Sequence, residues 1–130
     1  MKLSDLKDFF DNEISASEFN ILIDPEVQEY RRRLSVKGRS APVTVNEDID
    51  LSISKDAVAQ VCSAYLHGDL TESAVQYIAD AVLLSHFAER VSFAEEGLQD
   101  VIALLTDPEV NGPVTKDSVL GILIQLSLPN

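Results

Sequence analysis

Apolar residues recur along most of this chain at spacings of three and four, which places them on one face of an α-helix. The first 34 residues hold two such faces. Their apolar positions are Leu6, Phe9, Phe10, Val27, Tyr30 and Leu34. We expect Ser4 to cap the first helix. The second helix is expected to begin at Asp24, because Asp is a favourable N-cap and Pro25 then lies in the first turn, where its missing N–H costs nothing.

Four further helical patterns follow residue 53, and each opens with a side chain that can cap a helix. The four expected N-caps are Ser54, Thr71, Ser92 and Thr115. The helix after Thr71 is apolar on most of its sides, so we expect it near the centre of a bundle. In the helix after Ser92, Glu95 and Glu96 would lie in the first turn, where acids are favoured by the helix dipole.

Between these two groups the helical period is lost, and apolar residues alternate with polar ones. The alternating positions are Val43, Val45, Leu51 and Ile53. The turn-forming residues at 46–48 are compatible with a short β-hairpin, and a plain extended connection fits equally well. The whole pattern predicts an all-α fold: a single-domain bundle of about six helices spanning residues 1–130, with a short β-hairpin or an extended loop near residues 43–53.

Composition narrows the class of function. The chain has 130 residues, 45% of them hydrophobic, and a net charge of −12, which suits one folded acidic domain and disfavours a nucleic-acid binder. A single cysteine, Cys62, and two histidines, His67 and His86, leave little material for a metal centre. We expect Cys62 to be a core residue. No phosphate-binding glycine loop or convergent acid–base pair is present, so we expect no cofactor and no catalytic activity.

The location expected from the sequence is cytoplasmic. The N-terminal residues alternate charged and apolar types and do not form the continuous apolar stretch of a signal peptide. No uncharged apolar segment reaches the roughly 20 residues that a membrane span needs. We therefore expect neither a membrane nor a nucleic acid among the partners.

The charge is distributed unevenly along the chain. Residues 1–39 hold 7 basic and 8 acidic residues, whereas residues 40–130 hold 3 basic and 14 acidic ones. An acidic surface of this kind favours encounter with a basic protein partner. The acids that we expect to face such a partner are Glu47, Asp48, Asp50, Glu72, Asp80, Glu95, Glu96 and Asp100. The basic residues cluster instead at Arg31, Arg32, Arg33, Lys37 and Arg39.

Two stretches of the chain carry a family resemblance. Residues 64–72 read AYLHGDLTE, and residues 77–85 read YIADAVLLS. Together they resemble a segment of small acidic α-helical bacterial proteins, some of them immunity proteins encoded beside contact-dependent or other polymorphic toxins. The resemblance covers about residues 58–105. It implies a protein that binds a cognate toxin and occludes its active site or a nearby surface, and Asp80 is the acid within the second motif.

Two other functions stay open on the sequence. The last helix carries seven large aliphatic residues between Val119 and Leu128, which is also typical of a homodimer contact in a structural or adaptor module. The basic cluster at residues 31–39 is compatible with a small enzyme or a sensor of phosphate-bearing anions. The first function, neutralisation of a toxin, is the one that we expect, and a basic nuclease is a natural toxin of this kind because it binds phosphates.

Overall fold

The computed structural model describes residues 1–34, 43–106 and 111–127, and it is mostly helical, as the sequence predicts. Within these residues six helices and two short strands have defined bounds. In chain order they are α1 (Leu3–Phe10), α2 (Ala16–Leu34), β1 (Leu51–Ile53), α3 (Lys55–Leu66), α4 (Glu72–Phe87), β2 (Val91–Phe93), α5 (Leu98–Ala103) and α6 (Lys116–Ser127). No helix in the described part of the chain is long and apolar enough to cross a membrane.

Helix α2 begins nine residues earlier than the sequence indicates, with Ser15 and not Asp24 as its capping residue. Its N-terminus is a capping box, in which the Glu18 N–H donates to the Ser15 hydroxyl at 3.1 Å and the Ser15 N–H donates to the Glu18 carboxylate at 3.3 Å. The expected start at Asp24 is wrong, and Pro25 lies inside the helix. Proline in a helix interior costs about 3 kcal/mol, but α2 continues through it because Phe19 upstream is fully buried and stacks on Phe9.

Helix α1 is capped by a residue far away in the sequence. The helix begins at Leu3, and its preceding residue makes no side-chain capping bond, so the expected cap by Ser4 is wrong. Instead, the Asp48 carboxylate accepts hydrogen bonds from the Ser4 N–H, at 3.1 Å, and from the Ser4 hydroxyl. These bonds lower the pKa of Asp48. A loop acid therefore supplies the acceptor that the start of α1 lacks.

Between α2 and α3 the structure describes residues 43–54, and these residues do not form a hairpin with one another. Strand β1 pairs with β2 in parallel, with Leu51 opposite Val91 and Ile53 opposite Phe93. Parallel strands need a long crossover, which α3 and α4 supply here. The expected cap at Ser92 is wrong, because this residue lies in β2. The extended backbone at residues 91–93 buries Val91 and completes the sheet, and α5 begins only after Gly97.

The other predicted helix starts are confirmed. Ser54 accepts the Ala57 N–H at 3.2 Å, Thr71 accepts the Ala74 N–H at 3.1 Å, and Thr115 accepts the Ser118 N–H at 3.1 Å. Helix α4 is the central element, because most of its side chains are buried and it contacts α2, α3, α5 and β2. This packing fixes the positions of the neighbouring loops, including the segment that leads into β1.

Candidate protein-binding site

A groove of about 300 Å³ opens between the C-terminal half of α1, strand β1 and the start of α3. Both carboxylates and apolar side chains line this groove. The carboxylates are Asp11, Asp50 and Asp56, and the apolar side chains are Phe10, Leu51 and Ala57. We call this feature the acidic groove. No residue of β2 lines it, so it lies on the side of β1 that faces away from β2.

Local structure explains why these carboxylates reach the groove. Along residues 50–53 burial alternates, with Leu51 and Ile53 buried and Asp50 and Ser52 exposed, as expected for a strand with one face against the core. Asp56 stands in the first turn of α3, where an acid is favoured by the helix dipole. Asp11 follows the last residue of α1. Three separate elements thus place one carboxylate each.

Two cations neutralise part of this charge. Lys7 forms an ion pair with Asp11 one helical turn away, which raises the pKa of Lys7. Arg90 lies 2.6 Å from Asp50, Nε to Oδ1, and both residues also line a neighbouring groove with Glu89. Among the described residues that line the two grooves, four are carboxylates and two are cations. Exposed ion pairs are worth about 0–1 kcal/mol, so a cation brought by a partner can replace Lys7 or Arg90.

Strand β1 adds backbone hydrogen-bonding groups to the acidic groove. The Leu51 N–H donates to the Arg90 carbonyl at 3.0 Å, and the Ile53 carbonyl accepts the Ala94 N–H at 2.8 Å, so both residues direct their peptide groups to β2. In a strand, the residue between two such residues directs its N–H and C=O to the opposite edge. That residue is Ser52. In the described part of the chain, no hydrogen bond reaches its N–H or C=O.

Of the eight acids expected to face a partner, only Asp50 lines the acidic groove. Four others accept hydrogen bonds from within the chain. Asp48 caps α1, as described above, and Glu95 accepts the N–H of Lys55 at the start of α3 at 2.9 Å. Glu72 accepts the N–H of Val114 at 3.1 Å, and Asp80 accepts the hydroxyl of Tyr30. These acids hold elements of the fold together.

The remaining three predicted acids lie outside the acidic groove. Glu47 is half-buried in the extended segment before β1, whereas Glu96 and Asp100 are exposed around the start of α5. Sequence reasoning missed Asp11, Asp56 and Glu89. Asp56 had a visible signal, since it lies in the first turn after the Ser54 cap. The packing of α1 beside β1 and α3 brings Asp11 and Asp56 next to Asp50, and the pairing of β1 with β2 brings Glu89 there.

The basic residues at the end of α2 line a second groove of about 370 Å³. We call it the basic groove; Arg31 and Arg32 face it from α2, and Thr71 and Ser73 from the start of α4. The Glu29 carboxylate accepts bonds from Arg32 at 2.6 Å and from Arg33 at 3.0 Å, and these two arginines lower its pKa to about 2. Lys37 and Arg39 of the expected cluster lie outside the described residues.

Residues with catalytic or metal-binding chemistry are placed apart. Cys62 is fully buried, which confirms its expected place in the core, and burial raises its pKa to about 11. His67 and His86 each place Nδ1 within hydrogen-bond distance of a backbone carbonyl, at 2.7 and 2.9 Å. Among the described residues no group of three or more His, Cys, Asp or Glu side chains could hold a metal ion.

Comparison with known proteins leaves the family open. No family model matches the chain, and no curated protein and no solved structure matches it. The resemblance to immunity proteins therefore stays a prediction from residues 58–105.

Proposed function

We propose that this chain is a non-catalytic, cytoplasmic binding protein of the immunity type, which neutralises a cognate bacterial toxin by direct contact with a basic surface. The observation that carries the proposal is the acidic groove, with Asp11, Asp50 and Asp56 around an apolar lining. A concave surface with both features binds a basic side chain through its charge and its aliphatic stem. The resemblance at residues 58–105 supports a toxin as the partner.

Electrostatic steering gives the proposal its kinetic basis. The net charge of −12 attracts a cationic partner at long range and raises the association rate. A nuclease toxin carries cationic groups where it binds phosphates, so an acidic protein can cover the surface that its substrate needs. Neutralisation then requires occupancy alone and no chemical step by this chain.

Genetic neighbourhood supplies the partner for the first experiment. We expect the gene directly upstream to encode a large secreted protein with a basic C-terminal domain, and that domain, expressed in a host with and without this chain, is the probe. We expect this chain to restore growth and to co-purify with that domain as a one-to-one complex. Continued growth arrest together with no complex would contradict the proposal.

Charge reversal locates the interface on the chain. The double change Asp50→Lys and Asp56→Lys alters the net charge by the same amount as Glu96→Lys and Asp100→Lys, and all four side chains are exposed. We expect the first pair to weaken the complex roughly 30-fold and the second pair less than about fivefold. A stronger effect of the second pair would place the interface at the start of α5.

A second candidate function is the homo-oligomeric module, and one observation favours it. Helix α6 packs Val119 and Ile122 into the core and leaves Leu120 and Ile124 exposed by 47% and 63%. Gly121 beside them has open space around its missing side chain. A glycine inside a helix costs about 1 kcal/mol relative to alanine, and it permits close approach of another helix.

Sedimentation tests this second function. A second copy pairing through α6 predicts a dimer whose dissociation depends on concentration, with Ile124→Glu shifting it to a monomer. A monomer at every concentration would exclude the dimer. Leu128, the last residue of the expected contact, lies outside the described residues.

A further inference from the structure

The unpaired edge of β1 lies beside the acidic groove, and the two features together specify a mode of binding. Ser52 directs its N–H and C=O away from β2, and its side chain also lines the groove. An extended segment beside β1 can hydrogen-bond to both peptide groups and so add a strand to the sheet. The carboxylates of Asp50 and Asp56 then lie close to alternate side chains of that segment.

We propose that the acidic groove binds an extended basic segment of a protein partner, which adds to β1 as a third strand. This inference rests on the proposed function in that the partner is basic. The segment that fits alternates cationic and aliphatic residues, because successive side chains of a strand point to opposite faces. The cationic residues meet the carboxylates, and the aliphatic ones contact the apolar lining at Phe10 and Leu51.

Charge complementarity selects this occupant over a second copy of the chain. Two copies pairing edge to edge through β1 would bring together two acidic grooves, each lined by Asp11, Asp50 and Asp56, and this like charge opposes the pairing. Acidic side chains beside an edge strand also discourage indiscriminate pairing. A basic segment, in contrast, is attracted by the same carboxylates.

A synthetic heptapeptide of alternating lysine and valine, with blocked ends, is the probe. Its first control has glutamate in place of lysine, and its second carries methyl groups on alternate backbone nitrogens. There are two such methylated peptides, one with the odd-numbered and one with the even-numbered backbone nitrogens methylated. Both keep the positive charge and lose N–H donors that strand pairing needs. We expect the lysine peptide to bind at least about tenfold more tightly than the weaker of the two methylated forms, and the glutamate peptide to show no binding.

Variants at Ser52 test the same pairing from the protein side. Ser52→Pro removes the N–H and leaves the charge unchanged, and proline is tolerated on an edge where the N–H faces solvent. Ser52→Ala keeps the N–H and is the matched control. We expect Ser52→Pro to bind the lysine peptide about tenfold more weakly than Ser52→Ala does, because only the proline variant lacks the N–H. Hydrogen exchange at Ser52 in the unsubstituted protein gives a second readout, with the amide protected only when the lysine peptide is bound.

The outcomes separate this inference from the proposed function. If the lysine peptide and both methylated forms bind equally and the Ser52 amide gains no protection, the groove recognises charge alone and strand addition is overturned, while a basic partner is still supported. If the lysine peptide does not bind, strand addition is also overturned. The toxin co-expression described above then decides the proposed function by itself.

Discussion

The acidic groove and the basic groove are similar in size, yet they offer a partner different things. Both are bordered by the first residues of a helix, α3 in one and α4 in the other. The acidic groove also borders a strand edge at which the peptide groups of Ser52 have no hydrogen-bond partner among the described residues. Among the described residues, those that line the basic groove belong to α2, to α4 and to the cap of α4, and Glu29 already binds Arg32.

This difference indicates which of the two surfaces is suited to a specific partner. Charge alone attracts many ligands, whereas charge combined with fixed hydrogen-bonding groups sets the orientation of one. The acidic groove has both. In the basic cluster, Arg32 and Arg33 already bind Glu29, which offsets part of their charge.

The largest expected effect is the loss of peptide affinity when the charge of the acidic groove is reversed, compared with the same reversal in the basic groove. The double variant Asp50→Lys, Asp56→Lys should bind the lysine–valine heptapeptide roughly 30-fold more weakly than the unsubstituted protein at low salt. Arg31→Glu with Arg32→Glu, the matched change in the basic groove, should alter its affinity less than about twofold. Isothermal titration calorimetry measures both. Equal losses from the two pairs of changes would show that net charge, and not the groove, governs binding.

Removing the caps beside the grooves should have a smaller effect, on stability. Thr71→Ala should lower the free energy of unfolding by about 1 kcal/mol. Ser54→Ala with Glu95→Ala should lower it by about 2 kcal/mol, because two amides at the start of α3 then lose their acceptors. Urea denaturation gives these values, with Ser52→Ala as the neutral control. If the double variant is as stable as Thr71→Ala, Glu95 does not stabilise the start of α3.

The cap from Asp48 to α1 should make stability depend on pH. Its pKa is lowered in the fold, chiefly by the Ser4 hydroxyl, so its stabilisation is present above the ordinary carboxyl pKa and is lost as the pH falls through the lowered value. Asp48→Asn keeps an acceptor but not the charge. The difference in Tm between the two proteins should therefore shrink between about pH 5 and pH 2. A difference that stays constant with pH contradicts this cap.

The smallest expected effect belongs to the basic groove. Glu29→Gln should change Tm by less than about 2 °C, because the ion pairs that it breaks are exposed. Inorganic phosphate at about 10 mM should likewise shift the Tm of the unsubstituted protein by less than about 1 °C. A clear rise in Tm with phosphate would support the anion sensor instead.

The sequence can predict the parts of the fold that local signals specify, and it cannot predict the parts that depend on tertiary packing. The caps at Ser54, Thr71 and Thr115 are local, and the sequence located all three. The start of α2 is also marked locally, by the capping box of Ser15 and Glu18, and the sequence reasoning missed it. The strand at residues 91–93 depends on the burial of Val91, which no local pattern specifies.

The acidic residues follow the same rule. The sequence indicates an acidic protein, but whether an acid stays on the surface depends on which N–H lies next to it in the fold. Asp48 caps α1 through Ser4, which lies 44 residues earlier in the chain, and Glu95 caps α3 through Lys55, which lies 40 residues earlier. Asp50 and Asp56 remain in a groove that forms only when α1 packs beside β1 and α3.

The association rate of this chain with the proposed partner, a basic toxin domain, measured by stopped flow against ionic strength, tests the central claim most directly. For the unsubstituted protein we predict a rate constant that falls at least roughly tenfold between about 20 mM and 500 mM salt. For Asp50→Lys with Asp56→Lys we predict a slower rate with a much weaker dependence on salt. The same rate and the same salt dependence in both proteins would contradict the acidic groove as the site of encounter.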